Sequence, residues 1–340
     1  MIVLGIESSC DDTAVALYRP GCDEPFTEKV SRQYKIHDPY GGVVPELASR
    51  SHLEALPHIT RELLDDCGVK PEDVDLVAAT AGPGLTGALI VGLTFGKSLA
   101  FALKKPFVAV NHIEAHMFAA TAEEEVEYPF LALVISGGHT LLAVVKSSTS
   151  YEIVGRTRDD AAGEALDKGA KILGFPMPGG LNLALAAEKG QRGTPDGRRF
   201  PRSYLKPSLD FSFSGVKTAL LYHVERTRPS SGEAKNNIAA DYVEAIMDVL
   251  VKKAMLAAKT YGINTIVVGG GVSANSRLRE LFRNRCQGQR KNVRVIFPSM
   301  PLCTDNARMI AARGLRVYKD KGPSGFEADV FSTFIDQDEA

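Results

Sequence analysis

Residues 76–85 read Leu76-Val77-Ala78-Ala79-Thr80-Ala81-Gly82-Pro83-Gly84-Leu85. Leu76–Ala79 is a short buried-strand pattern, and the Gly-Pro-Gly after it breaks the strand. The apolar run from about Leu85 to Leu103 predicts a long helix opened by that turn. The order returns in the second half of the chain. Thr265–Val268 predicts a strand, Gly269-Gly270-Gly271-Val272-Ser273-Ala274-Asn275 a glycine turn, and Ser276–Arg285 a helix.

Working outward, each of these units follows a hairpin. Ile2–Ile6 and Thr13–Tyr18 flank the polar turn Glu7-Ser8-Ser9-Cys10-Asp11-Asp12; Phe130–Ile135 and Thr140–Val145 flank Ser136-Gly137-Gly138-His139. Helices lie between. Leu53, Leu56, Ile59, Leu63 and Leu64 fall at helical spacing up to Gly68, and a second long helix spans about 237–261. The repeat is one of pattern, with little residue identity. It predicts an α/β protein of two lobes with a cleft between the glycine turns. Residues 1–110 would form the N-terminal lobe with a C-terminal tail of about 322–340. Residues 111–321 would form the other, carrying an insertion at 156–230.

The chain has 340 residues, 44% hydrophobic and 24% charged, ordinary for a globular protein of two cores. A net charge of -1 excludes a polycation, so any nucleic acid must be held by a local patch or a partner. Two basic clusters are candidates: Arg192, Arg198, Arg199, Arg202 and Lys206, then Arg285, Arg290, Lys291 and Arg294. A basic loop is most often simply solvated. Five scattered cysteines without a C-x-x-C argue against a disulfide scaffold and fit a reducing cytosol. Met1–Glu7 lacks the basic region and apolar core of a signal peptide. Gly92, Gly96 and Lys97 interrupt the most apolar run, so no membrane span is expected.

The strand pattern Phe107–Val110 leads into Asn111-His112-Ile113-Glu114-Ala115-His116-Met117, which continues as a helix. Positions i and i+4 lie about 40° apart around a helix, so His112 and His116 share one face and can grip one metal ion. The pair resembles half of a zinc-protease motif, but Glu114 is rotated about 200° from His112 and cannot serve as that motif's base. Asp305 is the candidate third ligand. It stands where a helix begins, and capping is the commoner work of an Asp there; both roles are compatible if Thr304 caps. Two histidines and one carboxylate leave coordination positions open for substrate oxygens, and suit iron(II) or zinc. The four polar turns at 7–12, 82–87, 136–139 and 269–275, the last three of them rich in glycine, point to nucleotide binding, because glycine lets backbone approach a phosphate. Asp160, Glu164 and Asp167 share one face of a helix starting near Ala161, where first-turn acids are also favoured by the helix dipole.

Together these residues resemble the tRNA N6-adenosine threonylcarbamoyltransferase family, over essentially the whole chain. The motifs are Gly5-Ile6-Glu7-Ser8-Ser9-Cys10-Asp11-Asp12-Thr13, Gly82-Pro83-Gly84, His112-Ile113-Glu114-Ala115-His116, Ser136-Gly137-Gly138-His139-Thr140, Gly163-Glu164-Ala165, Pro178-Gly179-Gly180, Phe213-Ser214-Gly215-Val216-Lys217-Thr218, Gly269–Asn275 and Cys303-Thr304-Asp305-Asn306. The resemblance implies the actin-like, sugar-kinase and Hsp70-type ATPase fold. It implies transfer of a threonylcarbamoyl group from threonylcarbamoyl-AMP to N6 of adenosine 37 in tRNAs that read ANN codons. His112, His116 and Asp305 would hold iron(II) or zinc. Ile135, Ser136, Gly137, Gly138, His139, Asp167, Gly180 and Asn275 would bind the adenylate. A small paralogous subunit, an ATPase subunit and a separate adenylate-forming enzyme are the implied partners. Asp11 is the residue assigned to orient the amine or take its proton. The competing readings are an ATPase or small-molecule kinase of the same fold, since acidic hairpins and glycine turns also serve phosphoryl transfer, and a non-catalytic scaffold.

Overall fold

The structure is a computed structural model that describes residues 1–193, 200–205, 207–287 and 293–334. It divides into two compact units. The first holds Met1–Glu125, Ser148–Ser150 and Ser299–Ala340; the second holds Val126–Ser147 and Tyr151–Pro298.

The first unit is built on strands β1 (Val3–Glu7), β2 (Asp12–Tyr18), β3 (Phe26–Arg32), β4 (Leu76–Gly82) and β5 (Phe107–Asn111), ordered β3-β2-β1-β4-β5. β1 and β2 pair antiparallel, as do β2 and β3, while β4 runs parallel to both β1 and β5. Helices α1 (Tyr34–His37), α2 (Pro45–Asp66), α3 (Thr86–Leu103) and α4 (His112–Phe118) follow in sequence. The second unit holds β6 (Phe130–Ile135), β7 (Thr140–Ser147), β8 (Ser150–Arg156), β9 (Thr265–Gly269) and β10 (Arg294–Ile296), ordered β8-β7-β6-β9-β10. Again a hairpin, β6–β7, is extended by parallel strands, β6–β9–β10. The two sheets thus have one topology, which is the repeat read from the sequence. Helices α5 (Ala162–Leu173), α6 (Gly179–Lys189), α7 (Ser214–Thr227), α8 (Gly232–Tyr261) and α9 (Ser276–Gln287) belong to this unit, and α10 (Ala307–Lys321) returns to the first.

The division differs from the one expected. Residues 111–125 and 299–321 group with the first unit rather than with the second. The cause is packing. α10 buries Met309, Ile310, Ala311 and Leu315 in a cluster with Val3, Leu76, Ala78, Val108 and Val110, and Ala115 of α4 joins it. Gly5 permits the closest approach: a Cβ there would collide with the Ala307 carbonyl and with Ala311. The tail segment also packs on this unit. Ser324 N–H donates to the Phe107 carbonyl at 2.8 Å and Phe331 N–H to that of Ala81 at 3.0 Å. Within α2, Leu53 faces solvent, and Ala48, His52, Leu56, Thr60, Leu63 and Leu64 form the buried stripe.

By length and composition α3 could cross a membrane, which the sequence reading did not expect. Here Ala88, Leu89, Gly92, Leu93, Gly96 and Ala100 are its buried face. Gly96 sits directly over Ala79, and α3 packs on β4 and α2 as a core helix.

Candidate functional site

Asn111 decides where the histidines point. It ends β5, and its side-chain oxygen accepts the N–H groups of Ile113 at 2.9 Å and Glu114 at 3.1 Å, so α4 starts at His112. The two rings meet edge to face, with centroids 4.7 Å apart. Asp305 lies just before α10. The helix cap is neither Asp305 nor Thr304 but Asn306, whose side chain accepts Met309 N–H at 2.8 Å. Asp305 is therefore free to turn to the histidines. Its Oδ1 is 3.1 Å from His116 Nε2 and 3.5 Å from His112 Nε2. One ligand atom from each residue falls within 4.8 Å of the others. An ion about 2.1 Å from each of two ligands at a tetrahedral angle holds them about 3.4 Å apart, so the spacing fits a divalent ion. His116 Nδ1 is buried without a partner among the described residues.

Behind His112 stands Glu7, which the sequence reading placed only in a polar turn. It is 1% exposed at the end of β1. Its Oε2 is 3.0 Å from His112 Nδ1 and accepts the Thr80 hydroxyl at 2.7 Å, and its Oε1 accepts Ser9 N–H at 2.5 Å. Burial works against the Glu7 charge, but His112 more than offsets it and holds the carboxyl below its usual range. Asp305 behaves likewise: burial opposes its charge, and the two histidines hold it well below the usual carboxylate range. For His112, burial is outweighed by Glu7 and Asp305, and its pKa rises to about 10. For His116, burial wins and His112 adds repulsion, so its pKa falls.

Glu114 points elsewhere. Its carboxylate pairs with Arg313 at 2.6 Å, and the Arg313 guanidinium also lies 4.3 Å from the centre of the Phe118 ring. The expected exclusion of a zinc-protease base is met by this ion pair. Asp11 is half-buried in the β1–β2 turn. Its neighbour Asp12, not singled out from the sequence, is pushed up to about 7 by burial and then by the charges of Asp11 and Asp305.

In the second unit, the turn Ser136–His139 follows Ile135, which is fully buried. Ser136 N–H donates to the His139 carbonyl at 2.8 Å and His139 N–H to Ser136 Oγ at 3.1 Å, so two of the turn's N–H groups are already engaged. Gly137 and Gly138 are exposed, and a Cβ on either would meet no atom within 4 Å. Gly163 at the start of α5 lies against the Ser136 carbonyl, and Gly270 against that of Ile135. Farther along α5, Asp167 Oδ1 accepts Gly180 N–H at 2.6 Å. Asn275 spends its carbonyl oxygen capping α9, accepting Arg277 N–H at 3.0 Å and Leu278 N–H at 3.1 Å. Asp160 and Glu164, the other acids on the Asp167 face, are both bound by Lys168, at 2.8 and 2.7 Å.

The basic clusters are partly neutralised. Arg202 pairs with Asp248 at 2.8 Å, and Arg192 lies 3.6 Å from Glu244. Arg285 and Arg294 are exposed. Arg198, Arg199, Lys206, Arg290 and Lys291 lie outside the described residues.

Residues 26–312 match the family model described as TsaD, tRNA N6-adenosine threonylcarbamoyltransferase. A protein of that name from Desulfotalea psychrophila is 47% identical over 338 residues, covering 98% of this chain and 96% of its own. One from Syntrophus aciditrophicus is 48% identical over 316 residues, covering 92% of this chain and 91% of its own. Among solved structures, component A of the Acidaminococcus fermentans (R)-2-hydroxyglutaryl-CoA dehydratase matches with a TM-score of 0.55 at 16% identity, over 94% of this chain and 98% of its own. HypF of T. kodakarensis matches with a TM-score of 0.59 at 14% identity, over 94% of this chain and 48% of its own. These two share the fold alone, the actin-like and sugar-kinase type that the duplicated sheets display. With the family model spanning most of the chain and relatives near half identical along it, this protein belongs to the tRNA N6-adenosine threonylcarbamoyltransferases and is a transferase that makes N6-threonylcarbamoyladenosine in tRNA.

Proposed function

We propose that the protein transfers threonylcarbamoyl from L-threonylcarbamoyl-AMP to N6 of adenosine 37 in tRNAs reading ANN codons, with His112, His116 and Asp305 holding a divalent ion. Convergence of those three side chains to within 4.8 Å carries the reading. Iron(II) is the favoured ion and zinc the alternative, both suited to a nitrogen and oxygen donor set. When bound, such an ion supplies a Lewis acid that polarises a donor oxygen and fixes its position.

The chain's own residues do the rest. A new bond forms between N6 and the carbamoyl carbon. The bond from that carbon to the phosphate oxygen breaks, AMP leaves with the electron pair, and the amine gives up a proton. Asp11 is the carboxylate assigned to orient the amine or accept that proton. Gly137 and Gly138 have the open approach needed to bring backbone N–H groups to the donor. The Ser136–His139 turn, Ile135, Asp167, Gly180 and Asn275 are assigned to the adenylate. Asp167 holds the Gly180 backbone at the start of α6, and Asn275 retains its amide NH2 for a ligand after capping α9.

We assign tRNA, a small paralogous subunit and an ATPase subunit as partners. The cytoplasm is the assigned compartment, supported by five free cysteines. With the family established, no observation favours the kinase or ATPase reading. The test is nucleoside analysis of tRNA incubated with the protein, its partner subunits and the adenylate. Threonylcarbamoyladenosine with an equal amount of AMP is the expected product. Unmodified tRNA, or triphosphate turnover without tRNA, overturns the proposal.

A further inference from the structure

We propose that Glu7 is the positioning residue of the metal site: its carboxylate fixes the tautomer of His112 so that Nε2 is the atom presented to the ion. The inference rests on the metal reading above.

The argument starts from a donor that has no choice. Ser9 N–H can only donate, and it lies 2.5 Å from Glu7 Oε1, so that oxygen carries no proton. Oε2 is the acceptor left for the Thr80 hydroxyl at 2.7 Å and for His112 Nδ1 at 3.0 Å. Glu7 is 1% exposed, so no water competes for these bonds. With Oε2 accepting, Nδ1 is the nitrogen of His112 that donates, and Ser9 Oγ lies 3.3 Å from the same nitrogen. That leaves Nε2, the nitrogen 3.5 Å from Asp305 Oδ1, as the one that gives up its proton to an arriving ion. A ligand histidine held this way on its far nitrogen has a fixed ring orientation and raised basicity.

His116 has no such support. Its Nδ1 is buried and lacks a partner among the described residues. The two imidazoles are therefore unequal: His112 is set before the ion arrives, and His116 is not.

Glu7→Gln is the informative change because it keeps size and removes choice. Ser9 N–H still demands an oxygen, which drives the amide nitrogen to the position facing His112 Nδ1. That nitrogen donates, so Nδ1 must accept, and the proton moves to Nε2, where it blocks the ion. The experiment compares wild type and Glu7→Gln for zinc affinity, by competition with a chelator. It also records long-range proton–nitrogen spectra of 15N-histidine-labelled protein. Wild type is expected to bind zinc with the His112 proton on Nδ1. Glu7→Gln is expected to bind about 10- to 100-fold more weakly, with the His112 proton on Nε2 in the metal-free state. Equal affinity in a folded Glu7→Gln overturns the role of Glu7 and leaves the metal site standing. If the variant does not fold, the wild-type zinc complex decides alone, and zinc on His112 Nδ1 overturns the proposal. A wild type that takes up no zinc and no iron(II) ends both readings together.

Discussion

The turns that close β1–β2 and β6–β7 occupy the same place in two copies of one topology, and they carry opposite chemistry. The first begins with a buried acid. Glu7 is locked by Ser9, Thr80 and His112, and Asp12 is pushed up to about 7 beside it. The second follows an apolar Ile135 and carries two exposed glycines, Gly137 and Gly138, with open space around them. A buried carboxylate at a strand end suits a cation site, since it offsets positive charge and orients a ligand. An open glycine turn suits a phosphate, since backbone can come close. One strand order occurs twice, and the residue at the strand end differs between the copies, Glu7 in one and Ile135 in the other.

The sharpest way to break this contrast is to remove the cation site alone. His112→Ala with His116→Ala should lower threonylcarbamoyladenosine formation at least about 100-fold, while binding of AMP, which lacks the threonylcarbamoyl group, stays within about twofold when measured calorimetrically. Loss of both together would unite what the comparison separates. The reciprocal change is Asp167→Ala, which frees the Gly180 N–H. It should raise the KM for the adenylate about 10-fold or more, the worth of a charged hydrogen bond, and leave bound metal per chain unchanged.

Two glycines sharpen the picture of the second turn. Gly163→Ala puts a methyl against the Ser136 carbonyl and should destabilise by about 1–3 kcal/mol. Gly137→Ala meets nothing and should change stability by about 0.5 kcal/mol or less in denaturant melts, though it can still hinder the ligand.

A further modest effect concerns Asp12 in the metal-free protein. Its folded value of about 7 lies above the ordinary 3.8, so the folded state holds a proton that the unfolded state has lost between those pH values. Its unfavourable contribution therefore grows as pH rises from about 4 to 7 and is constant above. Asp12→Asn should melt like wild type near pH 4 and be more stable at pH 8 by about 1 kcal/mol, allowing for solvent screening of a half-buried group. Equal stability at pH 8 would show that the first turn is not strained by charge.

Much of the frame was legible because burial leaves a pattern. The runs Leu76–Ala79, Phe130–Ile135 and Thr265–Val268 are buried strands and read as apolar. The edge strands β3 and β8 were not read, because Phe26–Arg32 and Ser150–Arg156 are largely half-exposed and mix polar with apolar residues. The histidine pair was visible through helical spacing. Glu7 was not, because its partner lies 105 positions away and an acid in a turn looks ordinary. Asp305 and Asn306 are both good caps on paper, and only backbone geometry decides that Asn306 caps α10. The division of the chain failed to show because α4 and α10 pack on the first sheet through ordinary apolar residues such as Ala115, Met309, Ile310 and Leu315, which do not say which sheet they cover.

The central claim is that a single divalent ion held by His112, His116 and Asp305 is required for transfer. The direct measurement is threonylcarbamoyladenosine formation by metal-stripped protein as iron(II) or zinc is added back. The account predicts no product without metal and full recovery at one ion per chain, with Asp305→Ala unresponsive at the same concentrations. Full product from the stripped protein, or normal recovery in Asp305→Ala, would contradict it.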